Sequence, residues 1–262
     1  MILHSLHDRS DLAARFERDP ALNLMELGDL DDLPWPHTSW YSVSKDGPVA
    51  LLYAVGEVPT LLGFTRPAQA AALEELAEAM LPVLPRRFLG HLTGNAAKVL
   101  ESGYVAQSRT TLLRMALTEP GLADGYPAGP WRPAPLSRDD LPELLELFAE
   151  AYPGNWFDDR MLDTGQYVGA RQAGQLVAVA GVHVHSAAYR VAALGNVTTH
   201  PRVRGQGAAG ACVAALCRQL GETVDHIGLN VRADNATAVR LYRRLGFSEV
   251  AEFTETLFTA RP

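Results

Sequence analysis

Val197-Thr198-Thr199-His200-Pro201-Arg202-Val203-Arg204-Gly205-Gln206-Gly207-Ala208-Ala209-Gly210 is the stretch on which the reading of this 262-residue chain turns. It passes from an apolar strand pattern through a Pro-closed turn into a glycine-rich helix start. Arg204-Gly205-Gln206-Gly207-Ala208-Ala209 lacks bulky side chains where backbone N–H groups must close round an anion. A helix N-terminus presents unpaired N–H groups and the positive end of the peptide dipoles, so this turn is a ready pyrophosphate cradle. Beyond it, Val213, Leu216, Cys217 and Leu220 keep the i, i+3, i+4, i+7 spacing of a helix packed on a sheet. Arg202 and Arg204 either add charge to the cradle or are solvated surface side chains.

Gly205, Gly207 and Gly210 also spell G-x-G-x-x-G, the fingerprint of doubly wound dinucleotide folds. That fold needs several further strand-helix units, yet only about 50 residues remain, and Asp225 and Asp234 do not stand at the offset of a ribose ligand. A second signature follows instead: Leu229-Asn230-Val231, then Asp234-Asn235-Ala236, then Leu241-Tyr242-Arg243-Arg244-Leu245-Gly246-Phe247.

Arg204-x-x-Gly207-x-Ala209, Asn235, Tyr242 and Leu245-Gly246-Phe247 together resemble the GNAT superfamily of N-acetyltransferases, over a region from about Trp131 to the end of the chain. The resemblance implies a mixed α/β fold, a central sheet flanked by helices. In that family two neighbouring parallel strands splay and the pantetheine arm of acyl-CoA lies in the gap. Here those strands would be residues 189–199 and 226–231. Carried over, the backbone of Val197, Thr198 and Thr199 would bond the arm and polarise the thioester. Amides of Arg204, Gly205, Gln206, Gly207, Ala208 and Ala209 would take the pyrophosphate. Asn235 resembles the side-chain contact to the arm, and Tyr242 matches the usual general acid. Each has a plainer rival: Asn235 as a helix N-cap, Tyr242 as a core aromatic, and Gly246 as a helix end.

The chain is too long for one such domain and about right for two. Pro120-Gly121, Gly125-Tyr126-Pro127 and Gly129-Pro130 mark a boundary between residues 1–120 and 131–262. After it, Ser137 and Asp140 resemble a capping box ahead of an apolar stripe of Leu141, Leu144, Leu145 and Phe148. Strands are expected at 165–171, 175–186 and 189–199. The first half repeats the order in degraded form. Helices are expected near 10–18, 21–30, 67–80 and 95–102. Strands are expected near 38–44, 48–55, 59–64 and 87–91, with a final pair ending at 117. Gly94-Asn95-Ala96 with Gly103-Tyr104 echoes Asp234-Asn235-Ala236 with Gly246-Phe247, but Phe64-Thr65-Arg66-Pro67-Ala68 has no glycine cradle. The expectation is a tandem layout with an inert GNAT-like N-terminal partner. Trp35, His37, Trp40 and Tyr41 suggest an interaction module, though buried aromatics explain them more cheaply.

A hydrophobic content of 47% supports packed cores, while a net charge of −7 and a pI near 5.6 argue against nucleic acid or anionic membrane as partners. Cys212 and Cys217, five apart on one helix, suit neither a metal site nor a bridge. The chain shows no charged-then-apolar leader, long apolar run or lipidation signal, so a soluble, cytoplasmic protein is expected. No metal is implied, and a homodimer is left open.

The expected chemistry is transfer of an acetyl or other short acyl group from acetyl-CoA or a related acyl-CoA to a primary amine of a small molecule or peptide. A catalytically weak acyl-CoA sensor is the alternative. An amine with a pKa of about 10.4 needs about 4–5 kcal/mol to reach its nucleophilic form at pH 7, so something should take the proton. Family members commonly use a carboxylate on the strand entering the glycine turn, yet Ala192-Ala193-Leu194-Gly195-Asn196-Val197 has none. That leaves His183, His185 or Asp158, with the two histidines also readable as core residues. Trp156 and Phe157 are either core or walls of the acceptor site.

Overall fold

A computed structural model describes residues 2–262. The elements in chain order are β1 (His4–Leu6), α1 (Arg9–Phe16), α2 (Leu24–Gly28), β2 (Thr38–Ser42), β3 (Ala50–Tyr53), β4 (Thr60–Gly63), α3 (Ala70–Met80), β5 (Arg87–Leu92), α4 (Ala96–Leu100) and β6 (Tyr104–Leu117). After these come α5 (Pro120–Asp124), β7 (Ala134–Pro135), α6 (Leu141–Ala151), β8 (Val168–Gln172), β9 (Gln175–Ser186), β10 (Val191–Thr199), α7 (Ala208–Leu220), β11 (His226–Arg232), α8 (Ala236–Arg244) and β12 (Phe247–Ala260). Two compact units contain them. The first gathers Met1–Arg114, Val231–Asp234 and Glu249–Pro262, and the second Met115–Asn230 and Asn235–Ser248. The Pro/Gly-rich segment 119–130 lies inside the second unit, where it forms α5 and the turns after it.

In the first unit the strand order is β1-β2-β3-β4-β5-β12-β6. All neighbours among β1 to β4 run antiparallel, β4 and β5 run parallel, and β12 lies antiparallel to β5 with Phe258 opposite Phe88. Leu73, Leu76 and Met80 on α3 form a helical stripe over Leu61, Phe88, Leu100 and Phe258, all at most 1% exposed. Each such side chain stabilises the fold by about 1.5–3 kcal/mol through the area it withdraws from water. Tyr104–Leu117 forms one strand rather than the expected pair, and its run of Val, Gln, Ser and Thr holds no Gly or Pro that would turn it. Trp40 is 1% exposed and packs on buried Phe16, so these two serve the core, while Trp35, stacked on Trp40, is half-buried and His37 is exposed.

The second unit has the order β11-β10-β9-β8-β7. Helix α6 packs on β9 and β10, and α7 on β8, β9 and β10. Ser137 and Asp140 make the expected capping box. Leu144, Leu147 and Phe148 are buried, but Leu145, 100° away round the helix, is 49% exposed. On α7, Val213, Leu216, Cys217 and Leu220 are all buried as their spacing requires. Cys212 and Cys217 are free, and burial pushes both thiols up to about 12, leaving them inert packing groups. Among the described residues, no helix is long and apolar enough to cross a membrane.

The first unit buries two acids against one cation. Arg114 donates to the Leu22 carbonyl and to Glu26 Oε2 at 3.2 Å, and its guanidinium lies 3.5 Å from the centre of the Phe64 ring. Burial, with Glu26 nearby, holds the Asp29 carboxyl well above the usual carboxylate range. A carboxyl whose folded-state pKa is raised contributes stability that is present below its unfolded pKa and lost as pH rises through the folded value. Asp29→Asn should therefore gain stability over the parent on going from pH 4 to pH 8. Denaturant unfolding at both pH values checks this, and an equal difference at the two would contradict it.

Candidate functional site: a parted ladder and a glycine turn

Strands β10 and β11 pair in parallel from Val191↔His226 to Leu194↔Leu229, and the ladder stops there although β10 continues to Thr199. On its other side β10 stays paired with β9, but the register jumps from Gly195↔Gly181 to Thr198↔Val179. The jump is a bulge at Asn196 and Val197, and Asn196 takes φ +54°. Past the bulge, the His200 N–H goes to the Val177 carbonyl of β9. By alternation Thr198 shares that edge, and the backbone groups of Val197 and Thr199 face the edge that β11 has left. Thr198 is buried, with its hydroxyl 3.3 Å from the Asn196 carbonyl.

The turn after β10 is fixed piece by piece. Buried His200 accepts the Arg202 N–H on Nδ1 and pairs through Nε2 with Glu150 of α6 at 2.9 Å. Arg202 turns away from the glycines to Gln175 at 3.1 Å, whereas Arg204 reaches the Thr199 carbonyl at 3.3 Å and the Ala151 carbonyl at 3.4 Å. Gly205 and Gly207 adopt φ +77° and +85°, and nothing lies within 4 Å of a β-carbon placed on either. They are glycine for backbone conformation, since a side chain there costs about 1–2 kcal/mol in the left-handed region. The N–H groups of Gly205 and Gly207 donate to no described residue. Gly207 opens the 13-residue helix α7 with no side-chain cap, so the first-turn amides from Ala208 and Ala209 onward also lack intrahelical acceptors. The arrangement can hold an anion.

On α8, Asn235 accepts the Ala238 N–H at 3.1 Å, which is the capping role, and its amide NH₂ remains exposed. Tyr242 is 7% exposed, with its ring edge-on to Phe247 at 5.8 Å. Burial holds its phenol well above the ordinary value, and no described residue hydrogen-bonds the hydroxyl. Such a phenol stays protonated and has a proton to donate.

The expected bases fare differently. Asp158 is tied to Arg160 by hydrogen bonds at 2.7 and 2.8 Å that pull its carboxyl down to about 2, which makes it a poor base. His183 is half-buried, and burial lowers its pKa. Its ring lies flat on Gly195, where a β-carbon would stand 2.2 Å from Cδ2 and 2.4 Å from Nε2. The exposed Trp156 stands edge-on to the same ring at 5.4 Å, while Phe157 packs between Phe148 and Tyr167. His185 is half-buried, two residues further along β9.

Sequence reasoning missed Asn196. It is 3% exposed, and its Nδ2 donates to the Trp156 carbonyl at 3.2 Å and to the Tyr167 oxygen at 3.0 Å. Tyr167 in turn donates to the Val182 carbonyl at 3.2 Å, and burial raises its phenol to about 12. Asn196 Oδ1 and His183 Nε2 are both sealed from solvent without a hydrogen-bond partner. The available signal was a Gly-Asn pair inside an apolar strand, a composition that marks a bulge.

Comparison with known proteins agrees with this geometry. The model of the Acetyltransferase (GNAT) family matches residues 134–247. An uncharacterised protein of Mycobacterium leprae is 32% identical over 151 residues, a match that spans 53% of this chain and 39% of that protein. Among solved structures, a Drosophila protein superposes with a TM-score of 0.72 at 14% identity, covering 100% of this chain and 99% of its own. A tandem GNAT protein from the clavulanic acid biosynthesis pathway does so with 0.57 at 16% identity, covering 100% and 99%. Likeness at such identity concerns the fold alone, and the fold is GNAT over both units. Residues 134–247 thus belong to the GNAT family of acetyltransferases.

Proposed function

We propose that the second unit transfers an acetyl or other short acyl group from acyl-CoA to a primary amine by direct attack. The observation that carries this reading is the end of the β10–β11 ladder at Leu194↔Leu229, beside a turn in which the Gly205 and Gly207 N–H groups donate to no described residue. An extended amide-bearing arm entering there would bond the backbone of Val197 and the N–H of Thr199 as an added strand does, the Thr199 carbonyl being already taken by Arg204 Nε at 3.3 Å. Thr198 contributes the buried hydroxyl that steadies the bulge. The diphosphate would sit on the N–H groups of Gly205, Gly207, Ala208 and Ala209, with the Arg204 side chain adding charge, since the Arg204 and Gln206 amides already donate to the Pro201 and Val203 carbonyls at 3.4 and 3.3 Å. Asn235 caps α8 and keeps its amide NH₂ for the arm.

In the reaction a C–N bond forms and the C–S bond breaks. The proton leaving the amine goes to His183, and Tyr242 donates one to the departing thiolate. A proton on His183 Nε2 directed at Asn196 Oδ1 would satisfy both sealed atoms and leave the Nδ1 lone pair as the acceptor. The protein would thus supply one neutral base and one protonated acid at pH 7, each kept uncharged by burial.

The first unit supports a non-catalytic role. Its corresponding strands β4 and β5 remain paired from Thr60↔Leu89 to Gly63↔Leu92, and the Thr93 N–H then continues to the Gly63 carbonyl. That leaves no slot. The absence of a carboxylate on β10 itself favours a second reading, an acyl-CoA sensor that binds without turnover. An amine panel scored by release of free coenzyme A separates the two, since binding with no thiol release for any amine would support the sensor.

Tyr242→Phe should lower kcat by about 100-fold while leaving the Kd for acetyl-CoA within about 2-fold, because only the leaving-group proton is removed. Equal loss in both would make Tyr242 a packing residue. A base whose pKa is lowered by burial is already neutral below the ordinary imidazole value of about 6.5. The acidic limb of kcat/KM should therefore complete its rise below that pH, and His183→Gln should abolish the limb. An unchanged profile in the variant would remove His183 from the mechanism.

A further inference from the structure

Residues 119–131 have the composition of a linker, yet they are anchored at several points to the turn and helix of the proposed diphosphate site. Helix α5 packs on α7, and Arg218 of α7 donates to the Ala123 carbonyl at 3.2 Å. The Tyr126 ring covers Gly210 so closely that a β-carbon there would lie 2.3 Å from its hydroxyl oxygen. Trp131, 5% exposed, donates its indole N–H to the Gln206 carbonyl at 2.8 Å.

The last contact has a directional consequence. In a trans peptide the C=O and the following N–H point in opposite directions. Holding the Gln206 carbonyl on Trp131 therefore aims the Gly207 N–H away from Trp131, at the mouth of α7. Gly207, which has no side chain and stands at φ +85°, would otherwise let this peptide plane rotate at little cost. Gly210 completes the brace by letting Tyr126 press on the first turn of the same helix.

We infer that Trp131 is a positioning residue for the diphosphate cradle, fixing the 206–207 peptide so that the Gly207 amide is pre-aimed at the anion. The inference rests on the acyl-CoA reading of this turn. It assigns Trp131 to binding of the nucleotide end of the co-substrate, with no part in the chemistry at the thioester.

Trp131→Phe keeps a buried aromatic ring and removes the N–H donor together with part of the indole volume. Calorimetry with coenzyme A should show affinity weakened by about 5-fold to 10-fold, the scale of one hydrogen bond, and steady-state kinetics should show KM for acetyl-CoA rising while kcat holds. Pantetheine, which lacks the diphosphate, should inhibit parent and variant alike. Unchanged coenzyme A affinity in the variant would overturn the inference. So would equal weakening of coenzyme A and pantetheine with a lowered Tm, which a purely structural tryptophan would give. Failure of the parent itself to bind coenzyme A would instead remove the acyl-CoA reading beneath it. If Trp131→Phe does not fold, Tyr126→Leu, which loosens the same helix start at Gly210, is measured against the same outcomes.

Discussion

Everything assigned to the second unit depends on two parallel strands being unable to stay paired. The β10–β11 ladder is regular through Leu194↔Leu229, and then β10 bulges at Asn196. A bulge inserts extra residues and increases local twist, which carries the strand away from its neighbour. Here it is held by hydrogen bonds from the buried Asn196 amide to the Trp156 carbonyl and the Tyr167 oxygen, so the parting is part of the folded structure. Backbone N–H and C=O groups left on such an edge have lost their strand partner and need another. The amide-bearing arm of the proposed co-substrate would supply it.

The same bulge brings the chemistry of the site together. Gly195 gives the His183 ring its seat, and Asn196 sets a carbonyl oxygen beside the sealed ring nitrogen. Burial then acts on two titratable groups in opposite senses: it lowers the pKa of an imidazole and raises that of a phenol, leaving each neutral. In the proposed reaction neutral His183 would accept a proton and neutral Tyr242 would give one. Under the proposed function, a strand without a carboxylate would in this way still have a base paired with an acid.

Much of the architecture was legible because local rules decide it. Ser137 and Asp140 announce a helix start, the α7 stripe from Val213 to Leu220 announces a buried face, and positive φ at Gly205 and Gly207 explains why glycine stands there. Partner choice between strands was not legible. Nothing in the pattern of Phe247–Ala260 says that its residues from Glu249 onward cluster with the first unit and lie beside β5, because alternation encodes a buried face and not a neighbour. Asn196 and Trp131 escaped for a related reason. Their roles come from hydrogen bonds to backbone carbonyls 40 and 75 residues away, at Trp156 and Gln206, and no local spacing records such partners. Asp158 shows the converse: a carboxylate in a plausible loop is disqualified by the arginine two residues on.

Two amides report most directly on the parted strands. Hydrogen exchange followed at single-residue resolution, with and without coenzyme A, reads them directly. The N–H groups of Val197 and Thr199, on the edge that β11 leaves, should exchange markedly more slowly when coenzyme A is bound, while that of His200, already bonded to the Val177 carbonyl, should change little. Bound coenzyme A with Val197 and Thr199 exchanging as fast as before would contradict the account.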